Sequence, residues 1–233
     1  MSNKQQKPLV RKKWFYGVRK FLRLIIKTST FTYLGGPVEK GSVILSNHAG
    51  SGGPLAYDLY SGWDFRFWGT YEMNSGIRKC YKYLSEVFFH QKKGWNLHLA
   101  RVVCIIAAPL LNLYYKGLNL ISTYPDVRFK NSLTESMRTI KEGTNIIIFP
   151  EDSSKGYFDE LTIFHRGCLS FIRLCLKKGM DIPVHVAYYQ KHKKKCIIDK
   201  AIPASEIFKL AETDEEIARI LCNRCNELGK MEV

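Results

Sequence analysis

Three observations predict an α/β domain: a layered central mixed sheet flanked by helices, preceded by a basic amphipathic helix. Short β-like runs alternate with helical stretches from residue 41 onward, the pattern that builds layered α/β domains. The run Asn145-Ile146-Ile147-Ile148-Phe149, bounded by Gly143 and Pro150, has the continuous apolar character of a buried strand. The 233 residues contain no internal repeat and no linker long enough to divide them. The chain therefore reads as one large domain with an N-terminal appendage, divided at 1–35 and 36–233.

The N-terminal segment is chemically distinct. Nine of its first 30 residues are Lys or Arg, and the first acid is Glu39. Trp14, Phe15, Val18, Phe21, Leu22 and Ile25 recur at three-four spacing and predict one apolar helix face, with Arg19, Lys20, Arg23 and Lys27 opposite. Such a helix suits an anionic membrane interface, and packing on its own domain is the alternative. Lys27 stops the short apolar stretch and no small-residue cleavage site follows, so no signal peptide is read.

Further strands are predicted at Val43-Ile44-Leu45, Phe65-Arg66-Phe67-Trp68, 118–123, 183–189 and Cys196-Ile197-Ile198. The last two form a hairpin across the lysine cluster at 191–195, which reads as a solvated turn. Helices are expected at about 75–89, 95–116, 128–142, 166–179 and 213–229. Thr213 and Glu216 make a capping box for the last. The apolar stretch 102–115 is interrupted by Pro109 and Asn112. It reads as a buried core helix, with a segment dipping into lipid as the alternative.

Composition narrows the function. Lys+Arg 36 against Asp+Glu 21 gives a net charge of +15, which favours nucleic acid, an anionic membrane or a phosphorylated substrate. No helix-turn-helix, zinc-finger or ribonucleoprotein signature supports nucleic acid. A hydrophobic content of 45% excludes a disordered chain. The seven cysteines are odd in number and form no framework, which points to a reducing compartment. Cys222 and Cys225 read as two small residues on a helix. The histidines show no metal-ligand spacing, so no metal is expected.

Chemistry concentrates in two segments that directly follow strands: Ser46-Asn47-His48-Ala49-Gly50-Ser51-Gly52-Gly53-Pro54 and Phe149-Pro150-Glu151-Asp152-Ser153-Ser154-Lys155-Gly156. Ligands of α/β sheets bind outside the carboxyl ends of strands, so both segments can face one cleft if their strands are near neighbours. One brings a histidine with a near-neutral pKa. The other brings acid, hydroxyls and a lysine suited to a phosphate or polyhydroxyl. Ser51, flanked directly by glycines, has the wrong spacing for a serine-hydrolase elbow.

These motifs resemble the glycerolipid acyltransferases, the lysophosphatidic-acid and glycerol-phosphate acyltransferases. Asn47-His48 matches the start of their N-H-x-x-x-x-D motif, and Phe149-Pro150-Glu151 the start of F-P-E-G-x-R-S. Between them, Gly117 with 118–123, and 135–143, are similar to the family's second block and the helix and glycine after it. Arg166-Gly167 and Ile182-Pro183-Val184 are similar to its later motifs. The resemblance runs from about 41 to 190. Gly53 stands where the family has Asp, Asp152 where it has Gly, and Ser154 and Thr123 where it has Arg; Arg128 is the arginine nearest Thr123.

The resemblance implies a glycerolipid-acyltransferase-like fold and acyl transfer from acyl-CoA or acyl-carrier protein to a hydroxyl of a lysophospholipid or glycerol phosphate. No further cofactor is implied. His48 would be the general base and Asp58 the carboxylate behind it, with Asp152 as second candidate. Glu151, Asp152, Ser153, Ser154, Lys155 and Arg166 would hold the acceptor. The expected location is the cytoplasmic face of a membrane, on an anionic surface. Without the Asp at 53, an inactive relative that binds lysophospholipid or membrane is the alternative.

Overall fold

The computed structural model describes residues 11–233. Its centre is a mixed sheet of β1 (Thr30–Tyr33), β2 (Val43–Ser46), β3 (Phe65–Thr70), β4 (Ile121–Thr123), β5 (Asn145–Ile148), β6 (Pro183–Gln190), β7 (Lys195–Ile198) and β8 (Ile202–Pro203). The order is β1-β7-β6-β2-β5-β3-β4, with β8 beside β6. β6, β2, β5, β3 and β4 run parallel. β7 returns antiparallel to β6, as the predicted hairpin required, and β1 follows β7 in parallel. β2 and β5 lie at the centre and are buried throughout. Alternate residues feed opposite layers: Val43, Leu45, Ile146 and Ile148 face one core, Ile44 and Ile147 the other.

The helices are α1 (Lys13–Ile25), α2 (Gly52–Tyr60), α3 (Tyr71–Asn74), α4 (Ile77–Lys82), α5 (Leu97–Leu118), α6 (Phe129–Lys141), α7 (Gly167–Lys177), α8 (Ala204–Ile207) and α9 (Asp214–Lys230). α4 runs on into a π-helix over Tyr83–Lys92. α7 and α9 cover one sheet face through Phe171, Ile172, Leu221 and Leu228. Cys222 and Cys225 are buried in the same layer. The Thr213 hydroxyl accepts from the Glu216 backbone N–H at 3.3 Å, as the capping box predicts.

Three expectations are corrected. The 1–35 segment is not a separate appendage, because β1 is a strand of the main sheet and α1 is tied to the domain; its residues 1–10 lie outside the described residues. Phe15 is fully buried beside Gly117, where a Cβ would come within 2.0 Å of the ring. Arg19 and Arg23, assigned to the polar face, turn inward onto the Asp58 and Leu59 carbonyls near the C-terminal end of α2, where cations satisfy orphan acceptors. Phe21, Leu24 and Ile25 stay exposed.

The stretch 102–115 is not wholly core either. α5 buries Ala100, Cys104, Ala108 and Asn112 but exposes Val102, Ile105, Ile106, Leu110 and Leu113. The helix is long and apolar enough to cross a membrane by length and composition. The strand expected from 118 begins at Ile121, because α5 continues to Leu118 and is closed by Asn119 in the left-handed conformation.

Candidate active site

β2 is followed by Asn47, whose side chain extends the sheet. Its amide oxygen accepts from the Tyr189 backbone N–H at 2.7 Å, and its amide nitrogen donates to the Tyr189 carbonyl at 3.2 Å. The amide thus imitates one more backbone pair and fixes where the chain leaves the sheet. Ala49 (φ 48°) and Gly50 (φ 69°) then turn it back in the left-handed region. Gly53 N–H closes onto the His48 carbonyl at 3.2 Å, and α2 begins.

That turn presents the His48 ring between two aromatics. Phe149 meets it edge-on at 4.7 Å between centroids, and Tyr157 stacks on it at 4.8 Å. Burial pushes the imidazole down to about 4, and the Lys92 and Lys93 ammonium groups push the same way, while the Gly50 carbonyl opposes them. The ring is therefore neutral at pH 7. Its Nδ1 is buried and has no hydrogen-bond partner among the described residues.

Glu151 follows β5 and is held by a bridge to Phe164. Both carboxylate oxygens are buried without a partner among the described residues. Burial raises the group to about 7, against the pull of the His48 backbone N–H and Lys92. Lys92, the last residue of the π-helix, donates to the Ser153 hydroxyl at 2.7 Å. The two post-strand segments do meet, as their positions predicted.

His48, Lys92, Ser153 and Tyr157 line the polar end of a cavity of 780 Å³. Phe67, Leu111, Leu118 and Leu120 contribute to a wall that is otherwise chiefly apolar. A volume of this order accommodates a ligand with a long apolar part.

The remaining predicted site residues are placed elsewhere. Asp58 is not the acid behind His48: it is fully buried, its Oδ1 is 2.5 Å from Arg11, and its Oδ2 accepts from Tyr114 at 2.9 Å. Asp152 is turned onto its own loop, accepting from the Ser154 backbone N–H at 2.9 Å. Ser154 and Lys155 are exposed. Arg166 pairs with Glu215 on the surface. Of the third motif, Phe149, Pro150 and Ser153 line the cavity, and Glu151 is buried near the His48 backbone.

Lys92, Lys93 and Tyr157 were not singled out from sequence. The lysines follow the stretch read as helix to residue 89, and no periodicity distinguishes them from solvated charges. Arg128 lies over the Tyr124 ring at 4.6 Å and pairs with Asp126. Lys92 is the cation that the fold brings to the cavity's polar end beside Ser153.

No protein-family model matches the sequence, and no curated protein matches it. Among solved structures, the chain is similar to the crystal structure of the 1-acyl-sn-glycerophosphate (LPA) acyltransferase, PlsC, from Thermotoga maritima. The match has a TM-score of 0.51 and covers 97% of this chain and 86% of that one, at 15% sequence identity. The acyltransferase-like fold expected from the motifs is therefore shown, and at this identity the likeness concerns the fold alone.

Proposed function

We propose that the protein transfers an acyl group from an acyl thioester, acyl-CoA or acyl-carrier protein, to a hydroxyl of a lysophospholipid or glycerol phosphate. The observation that carries this reading is a neutral histidine at the polar end of a large apolar cavity, beside a lysine held on Ser153. The cavity suits an acyl chain and the lysine a phosphate. The fold shared with the LPA acyltransferase supports it.

His48 is the general base in this reading. With Nδ1 buried, Nε2 takes the hydroxyl proton as the oxygen attacks the thioester carbonyl. The tetrahedral intermediate collapses with loss of the C–S bond, and the imidazolium returns the proton to the departing thiolate. A positioned base contributes about 10²–10⁴-fold. The Phe149 edge and the Tyr157 stack orient the ring in place of a carboxylate. Lys92 and Ser153 hold the acceptor's phosphate. The uncovered apolar side chains of α1 and α5 rest in the cytoplasmic face of an anionic membrane, so that lipid reaches the cavity without crossing water.

A second reading is an inactive relative that binds lysophospholipid or membrane. It is favoured by the absence of any carboxylate hydrogen-bonded to the His48 ring among the described residues. One experiment separates the two: mass spectrometry of products after incubating the protein with acyl-CoA or acyl-carrier protein and a lysolipid panel. Acylated product from the native chain, lost in His48→Ala with folding and vesicle binding retained, is the expected result. Product at equal rates from both proteins would reject His48 as base. No product from either, with vesicle binding kept, would establish the inactive reading.

A further inference from the structure

A second cavity, of 470 Å³, lies against the other side of the loop that carries His48. Ser51 and Leu55 line both cavities. Four lysines from separate parts of the chain line the second one: Lys27 after α1, Lys93 after the π-helix, and Lys191 and Lys194 from the β6–β7 turn. No Asp or Glu lines it. None of the four has an ion-pair partner among the described residues. Bringing four like charges to one concavity costs free energy that a bound anion offsets.

The arrangement is also built rather than loose. The Lys194 carbonyl accepts from the Thr30 backbone N–H at 2.9 Å, which fastens the lysine turn to the start of β1. Lys194 itself holds a left-handed conformation at φ 53°. Lys193, between the two cavity lysines, instead pairs with Glu232 at 2.6 Å. The turn is therefore divided, with one ammonium neutralised by the chain and two left for the cavity. Ser29 and Tyr189, both buried, line the cavity and join hydroxyls at 3.2 Å, offering polar groups that a phosphoryl oxygen can use.

We propose that this cavity is a phosphoryl-binding site, distinct from the His48 cavity, whose occupancy does not require turnover there. The shared chemistry is a phosphate ester or diphosphate, and its two possible sources are the phosphates of coenzyme A and the headgroup of an anionic phospholipid. Four clustered ammonium groups with hydroxyls beneath them suit multiply charged phosphate better than a carboxylate.

Calorimetric titration of the full chain with pyrophosphate and with coenzyme A tests it, beside flotation with phosphatidylcholine vesicles with and without phosphatidylglycerol. The variant is Lys191→Ala/Lys194→Ala. The control is Lys177→Ala/Lys178→Ala, which removes the same charge from exposed positions at the end of α7, on the opposite face of the sheet. The expected result is pyrophosphate binding weakened by about tenfold or more in the turn variant and unchanged in the control. Given that pyrophosphate loss, a parallel loss for coenzyme A identifies that source, and a loss on phosphatidylglycerol vesicles with coenzyme A binding unchanged identifies the headgroup. Equal weakening in both variants, or in neither, would overturn the proposal. Binding needs no turnover, so a catalytically silent protein with this binding pattern separates the site from the acyl-transfer reading.

Discussion

Lys92 sets its ammonium 2.7 Å from the Ser153 hydroxyl and so links the end of the π-helix to the loop after β5. π-helical turns are rare and frequent at functional sites, and here the last residue of the π-helix reaches the cavity's polar end. Burial lowers the Lys92 pKa, and Glu151 and Asp152 pull it back. The cation thus stands in a partly dry site where it is worth more to an anion than on the surface.

Lys92→Ala is expected to raise KM for a phosphate-bearing acceptor by roughly 10–100-fold, the loss of one charge-assisted hydrogen bond. kcat should change much less. Removing a cation that depresses His48 should also raise the imidazole pKa, read from its NMR titration. An unaltered KM would remove Lys92 from acceptor binding.

Asp58 is expected to govern stability. Asp58→Ala leaves the buried Arg11 guanidinium without its acid, a loss of about 3–5 kcal/mol in a buried pair. Urea denaturation should show the fall directly. Arg11→Met/Asp58→Leu, which removes both charges, should recover much of it. A variant of native stability but with selectively lost turnover would return Asp58 to a catalytic role.

Glu151 and His48 should shape the pH dependence of stability in opposite directions. His48 is lowered from 6.5 to about 4, so between those values the unfolded chain binds the extra proton and stability rises with pH. Glu151 is raised from 4.5 to about 7, so the folded chain holds the proton and stability falls as pH rises through that range. Glu151→Gln removes the second contribution. Relative to the native protein it should gain up to about 3 kcal/mol between pH 4.5 and 7. Parallel urea-denaturation profiles across that range would contradict this.

Gly53→Asp, which writes in the acid of the resembled motif, should harm the protein. A Cβ at position 53 would lie 2.6 Å from the His48 carbonyl oxygen, and overpacking of this kind costs about 1–3 kcal/mol. The melting temperature should fall, and no acyl transfer should be gained. A stable, more active variant would mean that the turn relaxes to admit the carboxylate.

The layered fold was legible because its signals are local. β-branched runs such as 145–148 and three-four periodicity in 129–141 need no knowledge of the rest of the chain. Three expected strands and the β6–β7 hairpin lie where those patterns put them. β1 and α2 went unread: Thr30–Tyr33 is short and polar at one end, and the Gly-Gly-Pro opening of α2 imitates a loop. Both are stabilised by tertiary packing that overrides local propensity.

The sequence alone determined a layered, mixed α/β sheet and delivered His48 and Glu151 to the segments that directly follow two of its strands, since strand polarity dictates where those loops emerge. Which charges serve those loops was decided in three dimensions. Asp58 lies ten residues from His48 in sequence yet is taken by Arg11 and Tyr114, whereas Lys92, more than forty residues away, arrives at the cavity. Coulombic and hydrogen-bond energies depend on distance through space and on burial, and neither is written in the separation of residues along the chain.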